Sequence, residues 1–174
     1  QAYSTLARMG QGDLLHTLNR VEDLNGKVLY ARQASPDYSL PPAQAAMVVS
    51  MLEQSLTVGT ARHARLAGVT GASAGKTGTT SDTKDAWFAG FTPRHLTVVW
   101  VGYDDNTVMG LTGAAAALPI WIQTHKALQD LMGGDERFKW PAEVSPRTLT
   151  RFELQDRFPS LKELPDSIEL VFPH

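Results

Sequence analysis

Ala72-Ser73-Ala74-Gly75-Lys76-Thr77-Gly78-Thr79-Thr80 packs one cation, four hydroxyls and two glycines into nine residues. Asp85-Ala86-Trp87-Phe88-Ala89-Gly90 follows as a largely apolar run. β-Branched threonine favours strands, and glycine lets another chain approach the backbone closely. As a strand, the stretch turns Lys76 and Gly78 to one face and Thr77 and Thr79 to the other. At the wall of a cleft it would offer an anion a fixed charge, hydroxyl donors and bare backbone N–H groups.

The same letters suggest a phosphate loop, and the spacing argues against it. A Walker loop needs Gly, four residues, Gly, Lys and Ser/Thr between a strand and a helix. Here Gly71 to Gly75 encloses three residues. Ala61 to Gly68 is no apolar strand, and Gly78 to Thr83 is a poor helix opening.

At 174 residues the chain suits one domain with a real core. A net charge of −2 gives no electrostatic case for nucleic acid. The absence of cysteine excludes disulfides and thiolate metal sites. There is no eighteen-residue apolar window and no secretory signal. Gln1 falls inside a helix-like run, so the chain reads as a piece of something longer.

Around the central stretch the elements fall in order. Tyr3, Leu6 and Met9 carry helical spacing, stopped by Gly10 and Gly12. Asn25-Gly26 joins 14–24 to 27–32 as a hairpin. Residues 33–41, with Pro36, Asp37, Ser39 and Pro41, are a loop. Pro42 opens a core helix reaching Leu56, in which Met47 and Met51 are packing residues. Thr60 is read as the cap of a short basic helix over 61–66, with His63 on its surface.

Trp87 to Phe91 is a second strand, and Leu96 to Tyr103 a third, buried on both faces. Short links make the three an antiparallel meander, not a doubly wound parallel sheet. Asp104-Asp105-Asn106 is an acidic turn. Residues 113–132 are a long helix with Ile122, Leu128 and Leu131 inward, ended by Gly133-Gly134. From Asp135 the chain is an extended tail punctuated by prolines, with one strand at 167–172.

Lys76-Thr77-Gly78 resembles the Lys-Thr-Gly element of penicillin-recognising serine enzymes. The longer run through Asp85-Ala86-Trp87-Phe88-Ala89-Gly90 resembles that of class A, bifunctional penicillin-binding proteins. Val58-Gly59-Thr60-Ala61, Val99-Trp100-Val101-Gly102-Tyr103-Asp104-Asp105-Asn106, and Gly113-Ala114 to Pro119-Ile120-Trp121 resemble further stretches of that family. The likeness covers about residues 1–130.

It implies an α+β fold, an antiparallel sheet covered by helices, forming the C-terminal part of a transpeptidase domain over 1–132, with 133–174 as a tail. It implies acyl transfer from D-Ala-D-Ala stem peptides of peptidoglycan. Lys76 would supply positive potential, and the Thr79 N–H one oxyanion donor. Thr77, Gly78, Thr79 and Thr80 would bind the substrate, with Thr77 and Thr79 holding its carboxylate or that of a β-lactam. No cofactor and no metal are implied. The implied setting is periplasmic, in a protein anchored to the inner membrane.

The family's nucleophile comes from Ser-x-x-Lys, and Ser-x-Asn relays protons. Ser-x-Asn is absent. Ser73-Ala-Gly-Lys76 overlaps the strand, so its side chains diverge, and Ser81-Asp-Thr-Lys84 lies in the following loop. Both are chance matches. The chain alone is therefore expected to be inactive, its nucleophile supplied by the missing N-terminal part of the domain, on the same or a separate polypeptide. Missing helices would also leave apolar surface bare, so self-association is expected. A non-catalytic wall-peptide-binding relative, or a carboxypeptidase or β-lactamase, stays open as an alternative.

Overall fold

The computed structural model describes residues 1–34, 37–133, 136–157, 159 and 163–174. Pro36 of the expected loop, Gly134 of the helix stop and Asp135 lie outside the described residues. In chain order the elements are α1 (Ala2–Ala7), β1 (Gln11–Gly12), β2 (Arg20–Glu22), β3 (Val28–Ala31), β4 (Asp37–Tyr38), α2 (Pro42–Thr57) and α3 (His63–Leu66). There follow β5 (Ala74–Thr79), β6 (Asp85–Phe91), β7 (Leu96–Gly102), α4 (Ala117–Met132), β8 (Val144–Thr150), α5 (Arg151–Arg157) and β9 (Ser167–Pro173).

The expected meander is present: β5, β6 and β7 pair antiparallel in that order. Lys76 stands opposite Ala89 and Val98, and Gly78 opposite Trp87 and Trp100. α4 packs on β6 and β7, while α2 packs on β5. The fold is thus α+β, a small antiparallel sheet with helices laid on it.

One core cluster holds Phe88, Leu118, Trp121, Leu56 and Val69. The Phe88 and Trp121 rings lie 5.0 Å apart. Gly90 makes this possible, since a Cβ there would sit 2.5 Å from Trp121 Cε2. The indole Nε1 donates to Gly90 O at 3.2 Å, so this buried N–H is satisfied. A second cluster joins Val49, Ala74, Phe91 and Phe138, with Tyr3 against it.

Pro42 takes a first-turn position of α2, where its missing N–H costs nothing. The Asn25-Gly26 hairpin forms with short strands, and Gly26 takes φ +79°. Its turn is held by Asp23, whose Oδ1 accepts from the Asn25 and Lys27 N–H groups. Asp104-Asp105-Asn106 is a turn, with the Asn106 N–H bonded to Tyr103 O.

Four expectations are corrected. β7 is not buried on both faces: Val98 and Trp100 are exposed beside Trp87, because no described element covers that end of the sheet. The inward stripe of α4 is Leu118, Trp121, Ile122 and His125, one helical face; Leu131 is 83% exposed. Thr60 makes no capping bond to α3. The expected strand at 167–172 is present as β9 (Ser167–Pro173), but residues 144–157 are β8 and α5 and not an extended tail. β8 pairs antiparallel with β9 around α5, and β9 docks on α2 through Gln54 Nε2 to Glu169 O (2.9 Å) and Val171 N–H to Ser50 Oγ (3.3 Å). Among the described residues no helix is long and apolar enough to cross a membrane.

Candidate functional site

β5 lies at an edge of the meander. The Thr80 N–H donates to Asp85 O at 3.1 Å, which marks that pair as a hydrogen-bonded one. Alternation in an antiparallel ladder then turns the backbone groups of Gly78 and Lys76 toward β6, and those of Thr79 and Thr77 to the open edge. Gly75 faces Gly90 across the ladder, where a Cβ on Gly75 would meet Ala89 O at 2.7 Å and Phe88 Cζ at 2.8 Å. The two glycines let the strands close without lifting the aromatic core.

At the exposed end of β5 the polar groups converge. Lys76 Nζ donates to Thr77 Oγ1 and Thr77 O at 3.1 Å each, and reaches Thr60 Oγ1 at 3.4 Å. The Thr60 and Thr77 hydroxyls lie 2.9 Å apart. Thr79 Oγ1 accepts the Gly113 N–H at 2.9 Å. An open groove runs beside these hydroxyls, lined by Thr77, Thr79, Thr60, Arg62 and His63 among others. Among the described residues no carboxylate lines it. The arrangement suits a carboxylate, which accepts from cations, hydroxyls and backbone N–H groups alike.

Lys76, Thr77, Gly78 and Thr79 thus share one exposed strand end. Thr80 does not join them. Its hydroxyl accepts the Lys84 N–H (3.1 Å) and the Asp85 N–H (2.9 Å), closing the β5–β6 turn. Ser73 is fully buried with no partner for its Oγ, while Lys76 is exposed, so the two do not form a nucleophile–base pair. Ser81 lies in the exposed turn before Lys84.

Sequence reasoning missed Thr60 and Gly113 as site residues and left His63 on a featureless surface. The signals were the family-like stretches Val58-Gly59-Thr60-Ala61 and Gly113-Ala114, which carried no site role.

Two groups away from the groove are strongly perturbed. His125, 2% exposed and stacked on Trp121, is pushed down to about 4 by burial first, then by the charges of His95 and Arg65. Glu53 on α2 is pushed up to about 7 by burial, with Arg65 opposing and Glu169 adding to the rise. Neither lines the groove.

No protein-family model matches the chain. It is 38% identical over 155 residues to Penicillin-binding protein 1A of Aquifex aeolicus (strain VF5), covering 85% of this chain and 21% of that protein. It is 37% identical over 123 residues to Penicillin-binding protein 1B of Vibrio cholerae, covering 71% of this chain and 16% of that one. The chain belongs to the class A penicillin-binding proteins. It spans only about a fifth of the length of these relatives.

Among solved structures, the penicillin-binding protein PonA1 from Mycobacterium tuberculosis superposes with a TM-score of 0.64 at 31% identity, covering 80% of this chain and 38% of that one. Penicillin-binding protein 1A from Haemophilus influenzae gives 0.78 over 99% of this chain and 31% of that one, at 20% identity, which is a likeness of fold. That likeness of fold takes in β8, α5 and β9.

Proposed function

We propose that β5 is the carboxylate-gripping and oxyanion strand of a peptidoglycan D,D-transpeptidase. One observation carries the reading. The strand that ends in the Lys76–Thr77–Thr60 hydroxyl cluster also turns its Thr79 N–H to the open edge. A D-Ala-D-Ala stem peptide would lie along that edge as an added strand, its terminal carboxylate on Thr77 and Thr79. Gly78 leaves room for its backbone.

The Thr79 N–H would donate to the oxyanion. Loss of one such donor costs about 3–4 kcal/mol in enzymes of this kind. A serine from outside these 174 residues would supply the nucleophile. Its oxygen forms an ester with the penultimate D-Ala carbonyl as the bond to the terminal D-Ala breaks, the serine proton leaving on the freed amine. An acceptor amine then takes the acyl group and releases the serine. β-Lactams would acylate the same serine. The proposed site of action is periplasmic, in a membrane-anchored full-length protein.

Fluorescent penicillin tests this on two samples. The full-length gene product is expected to label, and Lys76→Ala to slow labelling by about tenfold or more. The purified 174-residue chain is expected to stay unlabelled. Covalent labelling of that chain would refute the outside nucleophile. Lys76→Ala labelling at the unmodified rate would refute the role of β5.

A further inference from the structure

Past β7 the chain turns at Asn106 (φ +62°) and comes back across the open end of the meander. The Met109 and Gly110 N–H groups both donate to Thr83 O at 3.1 Å, tying this strap to the β5–β6 turn. Four residues on, Gly113 settles on β5 itself. Its N–H donates to Thr79 Oγ1 at 2.9 Å. Its carbonyl accepts from the Ala117 N–H (3.1 Å) and the Leu118 N–H (2.9 Å), the first turn of α4. A Cβ on Gly113 would lie 2.4 Å from Gly78 O and 2.4 Å from Trp87 O. Both are backbone atoms inside the sheet ladder, so neither can swing aside.

We propose that Gly113 is a positioning residue for anion recognition, fixing Thr79 in place and setting the direction of its hydroxyl. The inference rests on the reading of β5 as the carboxylate grip. A hydroxyl has one proton and two acceptor lone pairs. With the Gly113 N–H taking up acceptor capacity on Thr79 Oγ1, the hydroxyl proton is left for a different acceptor, and the groove lies beside it. Gly113 thus makes Thr79 a donor toward the groove. Through its carbonyl it also links that residue to α4, whose Leu118 and Trp121 are in the core. The glycine is required by space, since any side chain must push the Gly78–Thr79 backbone off its position. It touches no substrate and acts through Thr79.

The test uses the full-length gene product and two probes, a penicillin and its methyl ester, which differ only in the anionic carboxylate. The readout is the ratio of their acylation rate constants, measured by competition with fluorescent penicillin. General destabilisation lowers both rates and leaves the ratio alone. The unmodified protein is expected to prefer the acid. Gly113→Ala is expected to lower that preference about tenfold, and Thr79→Ser, which keeps the acceptor, to preserve it.

A ratio unchanged in Gly113→Ala overturns the assignment. Should that variant not fold, Met109→Pro, which cuts one strap anchor on Thr83 away from the groove, is expected to lower the ratio in the same direction, and an unchanged ratio there overturns it. A protein with no acid preference at the outset, or with Lys76→Ala labelling normally, sinks the reading of β5 together with the inference. A preference that depends on Lys76 but survives Gly113→Ala sinks the inference alone.

Discussion

Two groups held neutral, both within reach of the Arg65 charge, should almost cancel each other's effect on stability between pH 7 and 4.5. His125 has an ordinary value of 6.5 and stands at about 4 in the folded chain. Below 6.5 the unfolded chain takes up a proton that the folded one refuses, so His125 costs stability as pH falls toward 4. Glu53 has an ordinary value of 4.5 and stands at about 7 when folded. Above 4.5 the unfolded chain releases a proton that the folded one keeps, so Glu53 costs stability as pH rises toward 7.

Each gap, 6.5 to about 4 and 4.5 to about 7, is worth about 3 kcal/mol at roughly 1.4 kcal/mol per tenfold in proton binding. Burial is the main cause for each: His125 sits under Trp121 beside His95, and Glu53 sits on α2 near Glu169, with Arg65 acting on both. The carboxyls of Glu136 and Glu153, held low by hydrogen bonds to Arg94 and Thr150, act at the acid end of this window and equally in every variant.

Urea unfolding of the purified chain at pH 7 and pH 4.5 reads the balance. The unmodified chain is expected to change by less than about 1 kcal/mol. Glu53→Gln leaves His125 alone and should lose about 2–3 kcal/mol on acidification, while His125→Phe should gain a similar amount. Parallel pH curves for all three would refute the reasoning, because they would mean that neither group is held neutral by burial.

Two further outcomes follow from packing. Gly90→Ala drives a methyl to within 2.5 Å of the Trp121 indole and should cost about 1–3 kcal/mol in urea unfolding, whereas an unchanged midpoint would mean that the indole is not seated on Gly90. The bare sheet end, with Trp87 and Trp100 each 42% exposed and Val98 52%, should make the isolated chain self-associate. Light scattering is expected to show oligomers that Trp100→Glu weakens, and a monodisperse monomer would count against this.

What could be read from the sequence was what local chemistry dictates. Asn-Gly made a hairpin, Pro42 opened a helix, and short links between Gly75 and Gly102 forced an antiparallel meander. The failures have physical causes. In α4 the inward stripe 118, 121, 122, 125 runs at clean helical spacing, but its last member is a histidine, and a polar letter hid the phase. β8 carries Pro146 and Arg147 and finds its partner β9 only beyond α5, so neither periodicity nor a turn cue announced the pair. β7 looked buried on both faces because its letters are apolar, and apolar letters do not say whether a covering element is present.

The candidate site divides the same way. Lys76, Thr77, Gly78 and Thr79 are contiguous, so one strand alone brought them together. Thr60 and Gly113 come from the α2–α3 link and from the strap before α4, and each reaches β5 only through the tertiary fold. Their contribution is also of a kind that residue type does not advertise. Thr60 shares a hydroxyl contact with Thr77 under the Lys76 ammonium, and Gly113 offers an N–H and the absence of a side chain. Gly113 brings no side chain of its own to an anion. Both constrain which way the β5 hydroxyls donate, and a strand at the edge of a sheet, unpaired on its outer side, has few other means of holding its donors still.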